Sequence, residues 1–248
     1  MSQNPQRPCC RSSVFETGRN MANRYFTQGT FDFLAALAAN NRREWFDEHK
    51  PDYEAMVRTP ALNFISDIAT DLAMISPHFL ALPRKAGGAL MRVNRDIRFG
   101  HDKRPFKTNI GIQFRHEIGK DVHAPGFYLH IEPGDCFVGV GLWRPDMHAL
   151  GKIRDAIVDT GDAWLAVRDD TVFSQTFALV GDSLTHAPRG YAKDHPLLTD
   201  LKRKDFLALS PLTDAAVRAK GFYPNVVERF AQSAPFMGYL CKALELPF

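Results

Sequence analysis

Between residues 89 and 143 the sequence alternates with period two, four times over. Met91 and Val93 alternate with Arg92 and Asn94. Ile110, Ile112 and Phe114 alternate with Asn109, Gly111, Gln113 and Arg115. Phe127, Leu129 and Ile131 alternate with Tyr128, His130 and Glu132. Cys136, Val138, Val140 and Leu142 alternate with Phe137, Gly139, Gly141 and Trp143. A strand turns successive side chains to opposite sides, whereas a helix repeats every 3.6 residues or so. The pattern therefore predicts a half-buried antiparallel sheet of about four or more strands. Pro133-Gly134-Asp135 predicts a hairpin between the last two runs.

The flanks carry the other period. Thr30 is placed to cap a helix containing Phe31, Leu34, Leu37 and Ala38, which Asn40-Asn41 ends. Residues 42–57 predict one or two short helices, with Pro51 in a first turn. Pro60 opens a further helix, on which Ala61, Phe64, Ile65, Ile68 and Leu72 form one apolar stripe. After Pro145 the face Met147, Leu150, Ile153, Ala156 and Ile157 predicts helix again, as does Trp164 to Leu179 with breaks. Residues 181–212 read as loop, and the chain closes with helices over 213–232, broken at Gly221 or Pro224, and 235–244. The class is α+β: N-terminal helices, a central antiparallel sheet, and C-terminal helices packed on one face. Residues 1–24 are expected to be a disordered tail, with Met21 a candidate start, and 25–248 a single domain.

Composition removes several function classes. No apolar run approaches the roughly 20 residues of a membrane helix, so a soluble protein with no membrane partner is expected. Cys9, Cys10, Cys136 and Cys241 lack C-x-x-C spacing, which argues against zinc and redox motifs and for reduced thiols in the cytoplasm. There is no H-E-x-x-H, no phosphate-binding loop of the G-x-x-x-x-G-K-[ST] type, and no G-x-S-x-G. Glu44, Asp47, Glu48 and His49 lie close together and offer acid/base or metal groups, though a solvated helix face is the favoured reading.

Charge, in contrast, is concentrated. Arg84 to Lys120 holds ten lysines and arginines against three acids, while the rest of the chain carries 21 basic and 25 acidic residues. Arginine forks bind phosphate or carboxylate at two points, and lysine adds a mobile charge. Arg92, Arg95, Arg98, Lys103 and Lys107 are thus candidate anion binders, with Arg115 and Tyr128 in support. Asp96, Asp102 and His130 are candidates for proton work. The two aspartates would equally orient arginines or hold Mg²⁺ beside a phosphate; no motif specifies a metal site.

Several stretches resemble the uncharacterised, mostly bacterial family catalogued as domain of unknown function 2461. They are FLAALAANNRREWFDEHKPDYE (33–54), RVNRDIRFGHDKRPFKTNIGIQF (92–114), GFYLHIEPGDCFVGVGLWRP (126–145), LGKIRDAI (150–157) and PRGYAKDHPLLTDLKRKDF (188–206). Phe106 stands where the family often has Tyr. The resemblance implies an α+β fold and marks Arg92–Lys107 as a signature; it implies no activity. Three readings stay open. The first is a site for a small phosphorylated or carboxylated ligand, with or without catalysis. The second is an Arg/Asp network that locks the 95–108 loop in a structural or interaction protein. The third, less favoured, is a nucleic-acid phosphate-binding module in which Lys202-Arg203-Lys204 adds charge and Tyr128, Phe99 or Phe106 stacks on bases.

Overall fold

The computed structural model describes residues 25–98, 102–119 and 124–248. The expected N-terminal tail and Phe99 lie outside them. The chain opens with α1 (Gln28–Ala39), α2 (Arg43–Glu48) and α3 (Lys50–Tyr53). A π-helical stretch, Glu54–Arg58, runs on into α4 (Thr59–Ile75). Pro60 sits in the first turn of α4, where it has no N–H to donate. Just before it, the Thr59 N–H reaches back five residues to the Glu54 carbonyl. The whole predicted stripe on α4 is buried. The cap of α1 is Thr27 rather than Thr30. Thr30 stands three residues in, where its hydroxyl accepts from the Thr27 N–H and donates to the Met56 carbonyl, tying α1 to the π-helical stretch.

Six antiparallel strands form one sheet in the order β1-β2-β3-β4-β6-β5. These are β1 (Phe79–Leu80), β2 (Ile110–His116), β3 (Gly126–Ile131), β4 (Cys136–Leu142), β5 (Ala178–Val180) and β6 (Phe206–Leu212). Three of the four alternating runs are β2, β3 and β4. In their register Gln113 faces Tyr128, which faces Gly139. The first run, 89–94, is not a regular strand. It pairs with β2 only around Leu90, through bonds from Met91 N–H to Gly111 and from Gln113 N–H to Ala89, then peels away. Past that point Arg95 N–H bonds to Pro105 and Lys107 N–H to Val93, so 93–95 and 105–107 form an arm of their own.

Between β4 and β5 the chain makes α5 (Met147–Asp159), α6 (Gly161–Arg168) and α7 (Thr171–Thr176); α8 (Leu198–Leu201) precedes β6, and α9 (Asp214–Arg218), α10 (Phe222–Gln232) and α11 (Ala234–Ala243) follow it. Met147 departs from the predicted face of α5 and is exposed, at the first position after its Asp146 cap. Leu179 belongs to β5, not to a helix, and the stretch read as loop ends in the strand β6. Strand β6 hides its period behind Ser210, buried against α10, and Pro211, near its end.

The two faces of the sheet differ. Ile110, Ile112, Phe114, Phe127, Leu129, Ile131, Val138, Val140, Leu142, Phe206 and Ala208 point into one buried cluster shared with α4, α10 and α11. Phe230 of α10 packs on Phe114 and Phe127 at ring separations of 5.9 and 4.9 Å. On the other face Gln113, Arg115, Tyr128, His130, Phe137, Leu207 and Leu209 are only half-buried. Among the described residues, no helix is long and apolar enough to cross a membrane.

Candidate functional site

The half-buried face is concave. Its floor contains Gly126, Gly139 and Gly141, and its walls include Met91, Tyr128, Phe137, Trp143, Leu207 and Leu209, around a cleft of about 430 Å³. Gly141 has no substitute here. Its φ is 115°, and a Cβ would fall 2.0 Å from the Phe206 carbonyl oxygen of the neighbouring strand. Trp143 lies at one end with the Arg144 guanidinium 4.9 Å from its ring centre. A second cleft of about 420 Å³ shares Met91, Lys107 and Gln113 with the first and adds Arg92 and Arg115. The two form one groove, apolar and aromatic at one end and basic at the other.

Lys107 stands where they join. The 105–107 arm carries it to the lining of both clefts, and it is half-buried. Burial, and then the neighbouring Arg92 and Arg95, hold its pKa below the ordinary lysine range. Among the described residues, Arg92, Lys107 and Arg115 have no side-chain hydrogen bond and no carboxylate at ion-pair distance.

The arginine-rich loop behaves differently. Arg98 clasps Asp96 with Nε at 3.0 Å and Nη2 at 2.7 Å. Asp102 accepts from Arg95 at 2.6 Å and from Arg104 at 2.7 Å. Lys103 closes on the Ile97 carbonyl at 2.9 Å. Hydrogen bonds from Arg98 and Arg104 hold the Asp96 and Asp102 carboxyls well below the usual carboxylate range. These pairs lie at the surface, the Arg98 side chain being 74% exposed. So of the candidate anion binders, Arg92 and Lys107 reach the groove with Arg115, whereas Arg95, Arg98 and Lys103 are engaged inside the loop with Asp96 and Asp102.

Two features anchor this loop. The Asn41 side chain makes a two-point clasp on Phe106, accepting from its N–H and donating to its carbonyl, both at 3.0 Å. The Phe106 ring is buried and stacks on Phe46 at 4.1 Å, so it offers no face to a base. Asn41 follows the end of α1, and its contact with Phe106 spans 65 residues of sequence, so no local pattern reveals its role. Glu44, Asp47 and Glu48 are exposed, as on a solvated helix face. Arg203 of the basic triplet turns inward, 3.6 Å from the buried Asp200.

On β3, Tyr128 and His130 point into the groove. The Tyr128 hydroxyl lies 3.0 Å from His130 Nδ1, and the His130 ring stacks flat on Phe137 at 4.6 Å. Burial first, and then the charge of Glu132, push the Tyr128 phenol up to about 12. Tyr128 is therefore a neutral hydrogen-bonding group near pH 7. A cavity of about 410 Å³ between α7, α10 and β6 is polar, but there Arg229 is held by Asn225 and Ser210.

Fold and site together define an α+β protein with one antiparallel sheet, helices on one face and a basic-to-aromatic groove on the other. The chain belongs to the family described as Conserved hypothetical protein (DUF2461), which matches residues 29–239. Comparison with curated proteins and with solved structures finds no match.

Proposed function

We propose that the groove binds a small molecule with one phosphate or carboxylate group and a flat apolar body, in a reducing cytoplasmic setting. The observation that carries this reading is Lys107: a half-buried cation, without a partner among the described residues, at the junction of a basic and an aromatic cleft. Like charges crowded together disfavour one another, and an arriving anion relieves them. Apolar walls with a few convergent polar groups are the usual make-up of a ligand site. The buried, unpaired thiols Cys136 and Cys241 fit the reducing compartment.

A thermal-shift titration tests the proposal. Phenyl phosphate and benzoate should stabilise the protein at lower concentration than inorganic phosphate, because only they fill the aromatic end. Lys107→Met should remove the effect of all three. Equal responses to all three anions, or responses that survive Lys107→Met, would refute it. One observation favours turnover as well as binding: His130 lines the groove with Nδ1 at 3.0 Å from the Tyr128 hydroxyl, a pair able to exchange a proton with a bound ligand.

A further inference from the structure

We infer that His130, Glu132 and Asp135 hold a divalent cation of the zinc or manganese class at the β3–β4 turn, beside the groove. Period-two geometry puts His130 and Glu132 on one side of the chain as it leaves β3. The Pro133-Gly134 turn, with Gly134 at φ 82°, then brings Asp135 back toward them. One ligand atom from each residue lies within 4.8 Å of the others.

The geometry between the first two ligands is informative. His130 Nε2 and Glu132 Oε2 are 3.4 Å apart. That is long for an N–H···O bond, which is normally about 2.7–3.2 Å. It matches roughly the 3.4 Å between two ligands that each lie about 2.1 Å from a tetrahedral ion. The Tyr128 hydroxyl and the Asn109 amide nitrogen occupy His130 Nδ1, at 3.0 and 3.4 Å, and leave Nε2 facing Glu132. A cation bound here would take Nε2 and the Glu132 carboxylate as its first two ligands.

Both ligands are already oriented. The Thr108 hydroxyl donates to the other Glu132 oxygen, and stacking on Phe137 fixes the His130 ring plane. Hydrogen bonds of this kind behind the ligands are what metal sites use to hold them in place. Asp135 is exposed and free to swing the remaining distance. The charges facing the site do not fill it. Arg104, which feels Glu132, is committed to Asp102, and Asp214 accepts from the Gly134 N–H at 3.1 Å. One imidazole and two carboxylates select a first-row ion over Ca²⁺, which takes six to eight oxygens.

Mn²⁺ alone is the probe, because the other groups able to capture zinc, the thiols, bind it weakly. Loss of the free-ion EPR signal counts the ions bound by the full chain after EDTA treatment and dialysis. One ion per chain is expected on wild type. His130→Ala and Glu132→Gln should weaken binding at least tenfold, while Asp214→Asn and Lys107→Met should bind as wild type does. Glu132→Gln keeps an acceptor for Thr108, so a melting temperature near wild type separates lost ligation from lost folding. No ion bound by wild type at millimolar Mn²⁺, or an ion indifferent to both ligand variants, would overturn the site. Because the probe carries no anion, either outcome is independent of whether the groove binds one.

Discussion

The 95–104 loop and the groove rim draw on the same basic run, yet they use their cations in opposite ways. In the loop Arg98 pairs with Asp96, Arg95 and Arg104 share Asp102, all within 2.7 Å, and Lys103 closes on a backbone carbonyl, so every one of these cations is engaged inside the loop. On the rim Arg92, Lys107 and Arg115 face one another across a cleft without a partner among the described residues. Density of charge is therefore a poor guide to where an anion would bind. What separates the regions is unspent charge, and it lies where the chain has fewer arginines.

The comparison can be broken or sharpened by substitution, and the largest effect is expected at the groove floor. Gly141→Ala puts a Cβ against the Phe206 carbonyl at a backbone angle that L-residues avoid. It should cost about 2 kcal/mol or more. That corresponds to a fall of roughly 4–8 °C in melting temperature for a chain of this size. A melting temperature equal to wild type would show that β4 and β6 do not pack as described.

Lys107→Met comes next. Losing a hydrogen bond between a charged donor and the anion, about 1.5–3 kcal/mol, should weaken phenyl phosphate binding roughly 10- to 150-fold. Without ligand the variant should be the more stable protein near neutral pH, since it removes a cation that folding partly desolvates. The sign with pH follows. The folded pKa of Lys107 is depressed, so below its ordinary value the folded chain binds fewer protons than the unfolded one. Wild type should therefore gain on Lys107→Met as pH rises toward about 10.4, the unperturbed lysine value. Parallel stability–pH curves would contradict this.

Tyr128→Phe should be milder, about 0.5–1.5 kcal/mol for the lost hydrogen bond to His130. Its phenol is pushed up to about 12, so the folded state favours the protonated form. That stability is present below the unfolded value of about 10 and is lost as pH climbs through 12. Urea titrations of both proteins across this range should draw together and then cross, because two pKa units, about 2.7 kcal/mol, outweigh the lost hydrogen bond.

The smallest effect is expected at Arg98→Ala. The Arg98–Asp96 pair is surface-exposed, and such pairs contribute little. Ligand binding and melting temperature should both stay within error of wild type. A clear loss of either would return function to the loop.

What was legible in the sequence follows the same physics. Strands β2, β3 and β4 and the buried stripe of α4 could be read because each is long enough to repeat its period and has one face in the core. Strands β1 and β5, at two and three residues, are too short to show a period. The run 89–94 alternates like a strand but leaves β2 after Met91, because 93–95 pairs with 105–107 instead. Lys107 is one of five basic candidates in the sequence. Nothing in composition could single it out, since the partners that occupy Arg95 and Arg98 emerge only when the loop is folded. The aromatic end was hidden for another reason. Phe137, Leu207 and Leu209 are apolar residues on the face that alternation marks as polar. His130 and Glu132, by contrast, stood two apart in a readable strand, a signal visible in the sequence.

Isothermal titration of phenyl phosphate into wild type, Arg98→Ala and Lys107→Met tests most directly whether unspent charge marks the site. The account predicts equal affinity for wild type and Arg98→Ala, and loss of at least tenfold for Lys107→Met. The reverse order, with affinity lost in Arg98→Ala and kept in Lys107→Met, would contradict it.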